Sequence, residues 1–207
     1  MQVQRRRRIP AEERRSAIIA AAAQVFAANG YERATTREIA RVAEVAEGTL
    51  YRHFAGKREL LTAVMQLTLL DSITTYLTKT METDDEAILQ ALLRDRFEVI
   101  SNNRDLLKVI ISQAFFDTKL ADQLGKQVFL PAVSIISEYL NRRIKDGTFC
   151  PMPLEVPVCA IMGTVFSQIM FITMFPQKVQ SDSEREELIH HLTRLILDGI
   201  RKKEVTA

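Results

Sequence analysis

The sequence predicts an all-α chain in two parts, a small basic head of three helices and a larger helical body. Three observations carry this. Apolar residues recur at helical spacing almost throughout, and no run alternates as a half-buried strand would. Charge is uneven: residues 1–60 hold 12 Lys and Arg against 7 Asp and Glu, while the rest hold 16 against 19. The stretch METDDE, Met81–Glu86, interrupts the pattern with a polar, acidic joint. We place the head at residues 1–60, with a disordered basic arm over 1–9, and the body at 61–207.

A first helix follows Pro10 and runs through RRSAIIAAAAQVFAANG, with Ile18, Ala21, Ala22, Val25 and Phe26 on its inner stripe. Asn29-Gly30 closes it with residues that tolerate the left-handed conformation. Thr35 or Thr36 caps a short second helix, with Glu38 in its first turn where a negative charge suits the dipole. A tight turn leads into EGTLYRHF, Glu47–Phe54. After the Ala55-Gly56 break, Lys57 starts a long helix through Leu60, Leu61, Val64 and Leu67 to about Thr80. Five body helices follow, near 86–101, 104–116, 119–146, 154–175 and 183–202, with Pro131 kinking or dividing the third.

Several function classes lose support here. Cys150 and Cys159 form neither a disulfide framework nor a CxxC pair, which fits a reducing, cytoplasmic compartment. No apolar segment follows Arg5–Arg8, so a signal peptide is not expected. His190 and His191 are adjacent and cannot face one metal from a single helical face, so no metal or other cofactor is expected. The three histidines, two cysteines and scattered carboxylates build no catalytic constellation. Val156–Gln177 is free of charge and long enough to cross a bilayer, but Pro157, Gly163, Thr164, Ser167, Gln168 and Thr173 interrupt it. A buried core or subunit interface explains it without lipid.

The segment EGTLYRHF puts Tyr51, Arg52 and His53 side by side on a helix too short to stand alone. Ile39, Ala40 and Ala43 face inward from the helix before it, Val45 plugs the turn, and Leu50 anchors the second helix from beneath. Thr49, Tyr51, Arg52 and His53 then project outward on a rod narrow enough for the major groove of DNA.

These residues, TTREIARVAEVAEGTLYRHFAGKREL from Thr35 to Leu60, resemble the TetR family of transcriptional regulators. The resemblance implies a homodimer with one helix-turn-helix head per subunit, and a C-terminal domain that dimerises through its last two helices and usually binds a small ligand. Two positions depart from the family pattern. Glu44 stands where glycine is frequent, and Ala46 where Ser or Thr commonly caps the recognition helix.

Chemistry assigns roles within the motif. Gly48 lets the backbone approach a phosphate, Tyr51 and His53 donate to phosphate oxygens, and Thr36 and Lys57 do so from helix starts. Base reading falls to Thr49, Arg52 and Arg37, with Glu47 a possible acceptor from cytosine or a simple helix-terminal charge. The arm Arg5–Arg8 is either a tail or a further DNA contact. The dimer face is assigned to the helix after Pro157 and to Leu188, Leu192, Leu195, Ile196 and Gly199 of the last helix, with Gly163 and Ser167 allowing close approach.

A pocket in the body would draw on Phe97, Phe115, Phe116, Phe129, Met162, Phe166, Met170 and Met174, with Gln113 or Gln168 as polar contacts. That mix suits a small apolar effector. The expectation is a repressor released from a palindromic operator when such an effector binds, with the helix from Lys57 transmitting the change. A regulator governed by a protein partner or by abundance alone is the rival reading, and an enzyme is a third.

Overall fold

The computed structural model describes residues 10–79, 84–175 and 181–201. The arm Arg5–Arg8, Met81–Thr83 of the joint, and Lys202 and Lys203 lie outside the described residues. Among those described there is no strand, only an isolated bridge between Phe149 and Arg201. The chain divides into two compact units, Met1–Val64 and Met65–Ala207, so the division falls within the fourth helix, four residues beyond the boundary the sequence suggests.

In the first unit, α1 spans Ala11–Arg33 and buries the expected stripe together with Ile19. Gly30 breaks it at φ 74°, ψ 166°, a left-handed conformation that favours glycine, and a last turn continues to Arg33. α2 spans Thr36–Val42, and Thr35 is its cap, accepting a bond from Glu38 N at 3.1 Å. The turn passes through Glu44 at φ 53°, the one described non-glycine residue with positive φ. α3, Glu47–His53, buries Leu50 alone and has no side-chain cap at Ala46. Both departures from the family pattern therefore lie where the sequence reading located them.

α4, Lys57–Lys79, begins in this unit and ends in the second. Leu60, Leu61 and Val64 are buried as expected, but Leu67 is half exposed.

The second unit holds α5 (Asp85–Asn102), α6 (Arg104–Phe116), α7 (Thr118–Leu124), α8 (Leu130–Lys145), α9 (Glu155–Met174) and α10 (Asp182–Ile200). The third predicted body helix is thus two, joined by a π-helical turn at Gly125–Phe129. Pro131 is the cause. It has no N–H for the carbonyl four residues back, and its ring crowds that carbonyl. Leu130 N reaches five residues back, to Gly125 O, and the released carbonyl of Gln127 accepts from Gln66 Nε2 at 3.1 Å.

α10 opens with a complete capping box, in which Ser181 and Glu184 satisfy each other's backbone N–H. α5 and α8 meet at a buried polar knot. Asp85, in the first turn of α5, accepts from the Tyr139 hydroxyl and from Arg143 Nη2, the latter at 2.7 Å. Burial, then the bond to Asp85, pushes the Tyr139 hydroxyl well above the usual tyrosine range.

α9 is long and apolar enough to cross a membrane, as is Lys57–Leu77 of α4, yet only 28% of that apolar stretch of α9 is buried within the chain. Val156, Cys159, Gly163, Phe166 and Ser167 recur along its open side. In α10 the expected face separates: Ile196 turns into the core, while Leu195 and Gly199 point outward and Leu188 and Leu192 are partly buried.

Candidate functional site

Leu50 decides how α3 is presented. Its side chain is completely buried, so the residues around it on a seven-residue helix must face elsewhere. Tyr51 is 51% exposed, Arg52 and Gly48 are exposed, and Thr49, Glu47 and His53 are partly covered. The His53 ring leans on Phe54, with centroids 6.5 Å apart.

The flanks of α3 differ. On one side Thr36 Oγ1 donates to Glu47 Oε1 at 2.9 Å and lies 3.0 Å from the Tyr51 hydroxyl. With the Thr36 proton committed to the carboxylate, Tyr51 is the donor to Thr36, and the chain Tyr51–Thr36–Glu47 fixes α3 to the start of α2. Glu47 is thus an internal acceptor in the free protein rather than a side chain aimed at a base. On the other side Arg52 Nη2 donates to Thr49 Oγ1 at 2.9 Å. Both border an open groove of about 950 Å³ whose far wall includes Ala17, Ala20 and Gln24 of α1. Arg37 is exposed and has no hydrogen-bond or ionic partner among the described residues.

A Cβ at Gly48 would meet nothing within 4 Å. The glycine is not needed for packing within the chain, which leaves close approach from outside as its use. We expect Gly48→Ala to raise the thermal stability of the head slightly, by up to about 1 kcal/mol, because alanine is the better helix former. The same change should weaken DNA binding at least tenfold on every sequence. Melting curves and gel shifts check the pair of outcomes; an unchanged affinity would show that no phosphate comes close there.

Lys57 differs from its sequence-based role. Its ammonium donates to the carbonyls of Glu32 and Ala34 at 3.2 and 3.3 Å and sits 4.4 Å from the Tyr31 ring centroid. It closes the end of α1, where carbonyls lack helical partners. Loss of a phosphate contact would lower the salt slope of DNA binding by about one unit. The observed bonds predict instead that Lys57→Ala lowers the melting temperature and leaves that slope unchanged, as salt titration would reveal.

The second unit contains an apolar cavity of about 230 Å³. Phe115, Phe129, Met162 and Phe166 border it, as the sequence suggested. Phe97, Gln113, Phe116, Gln168, Met170 and Met174 do not. Phe97 and Gln168 are buried elsewhere, and Phe116 and Met174 stand in solvent. Sequence reasoning missed Leu69 and Ile110, whose ordinary apolar character gave no signal, and it missed Arg96. That arginine is buried in the cavity wall. Its Nε and Nη2 donate to Asp95, and its Nη1 to the carbonyls of Leu69 and Thr68 at 2.8 and 3.3 Å. Among the described residues, no group of three or more His, Cys, Asp or Glu side chains is arranged to hold a metal ion. His190 and His191 are exposed on α10.

Residues 18–64 match the family described as bacterial regulatory proteins, tetR family. Over 141 residues the chain is 32% identical to the HTH-type transcriptional activator FasR of Mycolicibacterium smegmatis, covering 68% of this chain and 56% of that protein. Over 55 residues it is 53% identical to the HTH-type transcriptional regulator SrpR of Pseudomonas putida, covering 27% and 26% respectively. The chain therefore spans about half the length of these curated relatives, or less. Among solved structures, the fatty acid degradation regulator FadR from Bacillus halodurans superposes with a TM-score of 0.71 at 26% identity, covering 90% of this chain and 99% of that one.

Proposed function

From its membership of the tetR family of bacterial regulatory proteins, to which this chain belongs, we propose that it is a homodimeric, sequence-specific DNA-binding regulator of transcription. One observation carries the proposal: buried Leu50 holds α3 so that Gly48, Tyr51 and Arg52 are exposed together. In this reading α3 lies in the major groove, Arg52 and Arg37 reach base edges, Gly48 and the first amides of α4 meet phosphates, and the Tyr51 and Thr36 hydroxyls turn from their internal bonds to phosphate oxygens on binding. The chain is a cytoplasmic regulator and not an enzyme, in keeping with its relatives.

The dimer joins the open side of α9 to its counterpart, with Leu195 and Gly199 of α10 beside it. A self-complementary, charge-free face suits a two-fold contact, and its charge-free length needs no membrane. Two heads then read half-sites about 34 Å apart or at a multiple of that spacing, which makes the operator palindromic.

The cavity favours a repressor released by a small apolar effector over one controlled by a partner protein or abundance alone, since a filled core would leave no place for a ligand. The name of the Bacillus halodurans neighbour adds support for an effector bearing a hydrocarbon chain. To empty the operator, the effector must bind the released state better by several kcal/mol, and α4, which begins in one unit and ends in the other, is the element to carry the change. Selection of genomic fragments on purified protein should return one palindromic motif, and metabolite extract should lower its recovery. Retention of random fragments with no shared motif would overturn the DNA reading. Recovery indifferent to every extract would overturn the effector reading.

A further inference from the structure

We infer that the effector enters the cavity by an uncharged hydrocarbon end and leaves any charged group at the rim, so that Arg96 is not its anchor. This rests on the effector reading above and names the chemistry it selects.

The rim is visible from exposure. Phe115 borders the cavity yet is 74% exposed, and Phe129 borders it while nearly half exposed; neither lies on the side of α9 assigned to the dimer. The cavity therefore meets water between the end of α6 and the π-helical turn. Deeper in, the wall is aliphatic apart from Arg96.

A buried arginine in a cavity wall suggests a receptor for a carboxylate. The geometry points the other way. Asp95 neutralises the guanidinium, taking bonds from both Nε and Nη2, and Nη1 is committed to two carbonyls of α4. No Arg96 nitrogen is left without a partner. Of the five guanidinium N–H groups four are committed, and the remaining Nη2–H belongs to a cation that Asp95 already neutralises. A carboxylate brought inside would lose its water for at most one donor and no net positive charge, which is costly. A methyl-ended chain faces no such penalty and gains from burial.

Decanoate and decanedioate separate these cases, because they differ by one carboxylate at the far end of the same chain. Isothermal titration of the full chain should show decanoate and decanol binding, with decanedioate about 100-fold weaker. Phe129→Arg, which puts a cation at the rim on a side chain already partly in water, should strengthen decanoate relative to decanol. Decanedioate within a few-fold of decanoate, or an unchanged decanoate-to-decanol ratio in Phe129→Arg, overturns the inference while leaving the effector reading intact. Failure of all three probes to bind folded, DNA-competent protein overturns both.

Discussion

Leu50→Ala should abolish operator binding while the body remains folded. Leu50 is the only buried side chain of α3 and is fully enclosed, so truncation removes its contacts with the head core and leaves a cavity. Such changes cost about 3–5 kcal/mol. The head is small, and a seven-residue helix has negligible stability alone, so α3 is the first element to detach. Circular dichroism should show most helicity retained, because the second unit has its own core. Gel shifts should show no complex at protein concentrations that saturate the wild type. Full operator affinity in Leu50→Ala would mean that α3 is not placed by this side chain.

Asp85→Ala should be the most damaging single change in the body. The carboxylate is 4% exposed and is shared by a buried phenol and a partly buried guanidinium. Removing it strands the Tyr139 hydroxyl and leaves Arg143 without its short ion pair, at a cost of about 3 kcal/mol after allowing for the water that reaches Arg143. For a chain of this size that is on the order of 10 °C in melting temperature. The same knot gives a pH signature. Because folding raises the Tyr139 pKa, its contribution to stability is complete below the ordinary tyrosine value of about 10 and is lost as pH rises beyond it. Tyr139→Phe should therefore be less stable than wild type at neutral pH and show a shallower alkaline decline. Parallel alkaline declines in the two proteins would contradict the coupling.

Helix positions were legible because their signals are local. Thr35, Asn29-Gly30 and the 3.6-residue stripe of α1 each act within a few residues of chain. Pro131 announced a break, but its position did not follow from the sequence: the helix absorbs the missing donor before the proline, through the bond from Leu130 to Gly125. Within the motif, the burial of Leu50 and exposure of Tyr51 and Arg52 followed from periodicity. The partners of Lys57 did not, because the carbonyls it caps lie 23 and 25 residues away in sequence. For the same reason Arg96 gave no sign of its role. Nothing in DRFEV indicates that α4 carbonyls lie within reach, and helix-end residues such as Phe116 and Met174 share the composition of a pocket lining without being covered.

Dimethyl sulfate interference on the selected operator tests the placement of α3 most directly, because the reagent marks guanine N7 in the major groove and adenine N3 in the minor groove. Methylated guanines at symmetric positions in both half-sites should block binding, and Arg52→Ala should relieve the block at one of them. Interference confined to adenine N3, or none at any guanine, would mean that the residues around Leu50 do not enter the major groove.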